Sequence, residues 1–128
     1  MSNVFFDTVF SVFGKRKNQI QLLQIGANDG VFLDPVEPLL KLHSDLFSAV
    51  HSYEPIPDFY TKLVENKKCY DFVITHNLAV TADEIPSVML NYIPWKEIVD
   101  NRLPGSSQGI GSIFTDRNSI GGIGELAP

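Results

Sequence analysis

The sequence predicts an α/β fold with a mostly parallel sheet, the first half of a Rossmann-like arrangement. Three observations carry this expectation. Strand-like runs at 20–25, 49–54 and 72–77 alternate with two stretches of helical periodicity. The first run closes on a glycine-bearing turn, "LLQIGANDG" at 22–30. The second ends on an acid followed by two prolines, in "YEPIP".

The chain starts with a helical pattern. Phe6, Phe10 and Phe13 recur at helical spacing beside Phe5, Val9 and Val12, and Gly14 stops the helix. Lys15, Arg16 and Lys17 follow the apolar part, whereas a secretory signal places its charges first. The helix is expected to cover the core or lie over a pocket; contact with a membrane surface or a partner is the alternative. With its linker it occupies 1–19, and a partial ligand-binding domain fills 20–128.

IQLLQI, 20–25, is short, apolar and closed by glycine, as a buried parallel strand should be. In "VFLDPVEPLLKLHSDLF", Asp34 is placed to cap a helix whose first residue is Pro35, with Glu37 three positions on. Val36, Leu39, Leu40, His43 and Phe47 then share one helical face, His43 as a satisfied or half-exposed surface residue. A second strand covers 49–54, and Pro57 opens a helix in which Phe59 pairs with Leu63 and Tyr60 with Val64. A third strand runs over 72–77. Strand, helix, strand, helix, strand calls for right-handed crossovers and a parallel sheet. Beyond it, "SVMLNYI" (87–93) reads as a fourth strand ended by Pro94, and "WKEIVDN" as a short helix. Six of the nine glycines fall after residue 100, which makes that stretch loop-like.

At 44% hydrophobic and 20% charged residues, the composition is that of a globular chain rather than a disordered one. A net charge of −5 argues against an electrostatically driven grip on nucleic acid or anionic membrane and favours a cationic or neutral ligand. Cys69 is the single cysteine, so no internal disulfide forms and a reducing cytoplasm is the expected location. No apolar stretch approaches the roughly 20 residues that span a bilayer.

In a sheet of this kind ligands bind at the carboxyl ends of the strands, where the first turn enters the first helix. Gly26 permits close approach to the main chain, Asn28 tolerates a left-handed conformation, and Gly30 completes the bend. Exposed amides in such a turn are expected to favour an anionic group. Aligning Gly26 with the first glycine of G-x-G-x-x-G puts Asn28 and Val31 where glycines are needed, so a small anion such as an amino-acid carboxylate fits better than a pyrophosphate. Glu54 lies at the end of the second strand, where an acid accepts hydrogen bonds from both hydroxyls of a ribose; the alternative is a surface acid or helix cap near Pro55. His43, His51, His76 and Cys69 lack the spacing of a metal site, and Ser112 has no visible base.

"LLQIGANDG", "SYEPIPDFYTKLVEN" and "THNLAV" together resemble the first three motifs of the FkbM-type methyltransferases, class I enzymes dependent on S-adenosyl-L-methionine. The resemblance covers residues 20–82 and extends more loosely to "GIGSIF", 109–114. It implies a three-layer class I methyltransferase fold of which only the N-terminal half is present. It also implies that Gly26, Asn28 and Gly30 line the methionine part of the cofactor, Glu54 holds the ribose hydroxyls, and Asn77, Leu78 and Ala79 border the adenine. The family's acid two residues before the first glycine is Gln24 here. Asp29 either supplies the missing charge near the cofactor's ammonium group or is a turn-forming aspartate bonding its own backbone.

The resemblance implies O-methylation of a small-molecule or sugar hydroxyl; a cofactor-binding module without turnover is the alternative, and a nicotinamide-dependent oxidoreductase is a third reading that the two missing glycines disfavour. The chain is expected to be the cofactor-binding part of a longer methyltransferase. Alone it should be marginally stable, associate through an open sheet edge with Ile113, Phe114 and Ile120 unpartnered, and transfer no methyl group.

Overall fold

The computed structural model describes residues 4–87, 89–104 and 111–112, the last pair by backbone only. The chain divides into two compact units, residues 1–80 and 81–128.

The first unit is a three-stranded parallel sheet with helices. In order it contains α1 (Val4–Phe13), β1 (Ile20–Ile25), α2 (Glu37–His43), β2 (Phe47–Tyr53), α3 (Pro57–Lys67) and β3 (Val73–His76), with a short 3-10 turn at Ser44–Leu46. Strand order is β1-β2-β3, and both pairs are parallel. The small α/β architecture expected from the alternation of elements is therefore present and compatible with a Rossmann-like fold.

Register decides which side chains meet. Leu22 lies beside Val50 and Val50 beside Val73; Gln24 lies beside Ser52 and Ser52 beside Thr75. These residues line one face. Against it pack Val36, Leu39 and Leu40 of the α2 region with Leu46 and Phe47, and Phe6 and Val9 of α1 close the cluster. α1 thus covers part of the first unit's core through Phe6 and Val9. Each fully buried leucine here contributes about 1.5–3 kcal/mol of transfer free energy. Crossovers of one hand, stepping in one direction across the sheet, put both connecting helices on the same face. The opposite face, with Leu23 and Ile25 each 64% exposed and Ile74 42% exposed, has none of this cover. The expected three layers are two in this unit.

Two local expectations are corrected. α2 starts at Glu37 behind Val36, with no side-chain cap. Asp34 Oδ1 instead accepts the Val36 amide two residues on, at 3.1 Å, so Asp34 shapes the approach to the helix without capping it. Phe47 is not on the α2 face: α2 ends at His43, the 3-10 turn intervenes, and Phe47 opens β2 as a buried core residue. Three spacings of about one turn had placed it on the helix, but the backbone leaves the helix before reaching it. Gly14 ends α1 as expected, since a Cβ there would collide with the Phe10 carbonyl oxygen. Pro57 opens α3, whose buried positions Phe59, Leu63 and Lys67 are four residues apart.

In the second unit, β4 (Asn91–Tyr92) pairs antiparallel with β5 (Gly111–Ser112), and α4 (Trp95–Asp100) follows Pro94 with Ile98 buried. The strand expected over 87–93 is reduced to two residues, and Val88 lies outside the described residues. So do Ile113, Phe114, Ile120 and all of "GIGSIF" except Gly111 and Ser112. Among the described residues no helix is long and apolar enough to cross a membrane.

Candidate functional site

The carboxyl ends of β1, β2 and β3 deliver three segments to one edge of the sheet: the turn at 26–34, Glu54 with its prolines, and Asn77 to Ala79. Hydrogen bonds join them. The Asn28 amide donates to Glu54 Oε2 at 2.8 Å, and the Ile56 amide donates to Glu54 Oε1 at 2.9 Å. Asn77 Nδ2 donates to the Glu54 and Pro55 carbonyls at 2.9 and 3.1 Å. Glu54 is thus the hub of the edge, and it is only 5% exposed. Burial pushes its carboxyl above the usual glutamate range, against the pull of the Ile56 and Asn28 amides. Each carboxylate oxygen has a second lone pair for a further donor.

The turn begins at Gly26, with φ of +77°, a conformation open to glycine and costly for other residues. A Cβ on Gly26 would meet nothing within 4 Å, so the backbone faces open space. Asn28 is left-handed, with φ of +56°. Its side-chain Oδ1 is buried and has no hydrogen-bond partner. An unpaired buried acceptor costs about 1–3 kcal/mol, and a donor brought there relieves that cost.

The expectation of an anion-binding turn is overturned. The Gly26 and Ala27 amides both donate to the Tyr53 carbonyl at 2.9 Å, the Gly30 amide to the Ala27 carbonyl at 3.0 Å, and the Asn28 amide to Glu54. Val31 and Phe32 donate to Asp29 Oδ1, each at 2.9 Å. These amides are consumed within the protein, and the one buried side-chain atom without a partner among the described residues, Asn28 Oδ1, is an acceptor. Asp29 takes the turn-forming alternative, its carboxylate bonding its own backbone.

Gly30 completes the bend as expected and also packs on α3. With φ of +77°, it is buried against α3, and a Cβ would come within 2.7 Å of Leu63 Cδ1 and 2.8 Å of Lys67 Cε. Packing on α3 accounts for a glycine here. Gly30→Ala should therefore cost about 2–5 kcal/mol from left-handed strain plus overpacking, measured by urea denaturation. A loss under about 1 kcal/mol would show that α3 yields freely at this point. Beyond β3, Leu78 is 59% exposed and Ala79 half-buried, leaving apolar surface beside Asn77.

Beneath the turn runs a polar chain that sequence reading missed. Ser52 Oγ donates to Gln24 Oε1 at 3.2 Å, and Gln24 Nε2 donates to Asp34 Oδ1 at 2.6 Å. Lys67 Nζ sits 3.5 Å from Asp34 Oδ2 and also pairs with Glu37, its side chain 1% exposed. Gln24 is thereby tied to an acid from the turn that follows β1. The available signal was Lys67 itself, a cation in register with the apolar positions Phe59 and Leu63. Asn66 Nδ2 adds a bond to the Asp29 carbonyl at 2.8 Å, so the end of α3 holds the turn twice.

His51 and His76 do meet, although their spacing gave no hint of it: Nδ1 of His51 and Nε2 of His76 are 3.0 Å apart, and His76 stacks on Tyr53. Tyr53 lies opposite His76 and His51 opposite Ile74, so parallel register sets this contact on the uncovered face. Among the described residues no group of three or more His, Cys, Asp or Glu side chains is placed to hold a metal. No family model, curated protein or solved structure matches this chain.

Proposed function

We propose that the first unit binds S-adenosyl-L-methionine and serves an O-methyltransferase acting on a small-molecule or sugar hydroxyl. The observation that carries this reading is the buried, unpartnered Asn28 Oδ1 beside the open Gly26 backbone and the Glu54 carboxylate. An adenosyl amino acid offers donors to match: an ammonium group for Asn28 Oδ1 and two ribose hydroxyls for the free lone pairs of Glu54. Leu78 and Ala79 offer apolar surface to the adenine.

The bound cofactor supplies a methyl group on a sulfonium, open to in-line displacement. The residues of this chain contribute orientation: Gly26 lets the ligand lie against the backbone, Asn28 and Glu54 hold its donors, and Asn77 keeps the edges of β2 and β3 together.

Calorimetric titration with S-adenosylhomocysteine and with NAD tests the reading. S-Adenosylhomocysteine should bind and NAD should not; tighter binding of NAD would transfer the site to the oxidoreductase reading. Gly26→Val puts a branched side chain into the open space and into a left-handed backbone. That variant should lose S-adenosylhomocysteine affinity by at least about tenfold, roughly one hydrogen bond's worth of contact, while remaining folded by circular dichroism. Normal binding by Gly26→Val would reduce Gly26 to a loop glycine. A chain that binds but methylates no hydroxylated acceptor is a cofactor-holding module.

A further inference from the structure

We propose that α1, together with Lys15 and Arg16 behind it, is a docking surface for the interface of an anionic lipid bilayer. Seven of its ten residues are apolar, and the polar ones, Asp7, Thr8 and Ser11, gather on one side. The apolar arc that remains is wider than the protein covers. Phe6 and Val9 pack on the core, and the Phe6 and Phe10 rings lie 5.4 and 4.3 Å from the His43 ring. Yet no residue of α1 is buried, and on the two flanks of the apolar arc Val12 is 62%, Phe5 38% and Phe10 42% exposed.

The other open apolar surface, Leu23, Ile25 and Ile74, has a reason within the fold: it is the second face of the sheet, where a doubly wound arrangement sets further helices. α1 lies on the face already covered, so completing the sheet does not account for its outer flank. Charge indicates the occupant. Lys15, Arg16 and Lys17 are consecutive and exposed, and the Arg16 guanidinium sits 5.7 Å from the Phe13 ring at the end of the apolar arc. Lys17 is held by Asp45 at 2.8 Å, which leaves Lys15 and Arg16 for lipid phosphates and carboxylates. Apolar side chains entering the acyl boundary with cations at headgroup depth are the pattern of a helix lying in the interface. The overall net charge of −5 does not oppose this at contact, because screening confines the interaction to charges within about 8–10 Å.

The test is sedimentation of the full chain with vesicles of phosphatidylcholine alone and of phosphatidylcholine mixed with phosphatidylserine. Binding to the mixed vesicles should be roughly thirtyfold tighter, as two cations near an anionic surface imply. Lys15→Glu with Arg16→Glu should abolish that preference, and Val12→Asp, at an exposed position, should weaken binding to both while leaving the circular dichroism spectrum unchanged. Sedimentation with neither vesicle overturns the proposal, and so does equal binding to both. Self-association that Val12→Asp abolishes, without lipid binding, overturns it in favour of contact between copies of the chain.

Discussion

Glu54→Ala is expected to cost about 2–6 kcal/mol of folding stability and to abolish ligand binding at the strand ends. The carboxylate accepts the amides of Asn28 and Ile56, and truncation leaves both donors without their partner. Each orphaned buried amide costs about 1–3 kcal/mol. Glu54→Gln should cost less, because a carboxamide oxygen can still accept one of the two. The wild-type chain also carries a pH signature. Burial raises the folded-state value of this carboxyl, so the proton binds the folded protein more tightly than the unfolded one. Its stabilising effect is complete below the unfolded value and is lost as pH rises through the folded value. Ligand hydroxyls require the ionised form, so affinity for S-adenosylhomocysteine should rise over the same window while stability falls. Glu54→Gln should flatten both slopes there. Parallel slopes in wild type and variant would remove Glu54 from the ligand.

Lys67→Met should be at least as damaging to the fold. It removes the cation shared by Asp34 and Glu37, whose side chains are 2% and 13% exposed, and leaves two largely buried carboxylates facing each other without it. Breaking a buried pair in this way costs about 3–5 kcal/mol, although the pair itself is weak evidence for stability because its desolvation offsets its attraction. Combining Lys67→Met with Asp34→Asn and Glu37→Gln should therefore recover a large part of the loss. The readout is the urea midpoint of the single and triple variants. A triple variant no more stable than the single would mean that the ion pairs hold the fold by themselves and are not merely mutually dependent.

Local signals were legible in the sequence, and long-range pairings were not. β1 appears at the expected residues because an apolar run closed by glycine has few other uses, and α3 opens at Pro57 because proline suits a first turn. Asp34 followed by Pro35 carries the same kind of signal, but its carboxylate is drawn to Gln24 and to Lys67, which is 33 residues away, so α2 starts later. Glu54 was found by its place at the end of β2. That its oxygens are already engaged by Asn28 and Ile56 depends on how the turn after β1 curls over β2, which no spacing shows. The same curl consumes the amides expected to attract an anion. His51 and His76 meet only because β2 and β3 are parallel in one particular register.

The proposed site for an adenosyl amino acid is the strand-end edge formed by Gly26, Asn28, Glu54 and Asn77. Its most direct test is a titration of the isotopically labelled chain with S-adenosylhomocysteine, followed through backbone amide chemical shifts. Saturable shifts concentrated at Gly26 to Asn28, Glu54 to Ile56 and Asn77 to Ala79 are expected. An unchanged spectrum at saturating ligand, or shifts confined to the second unit, would contradict it.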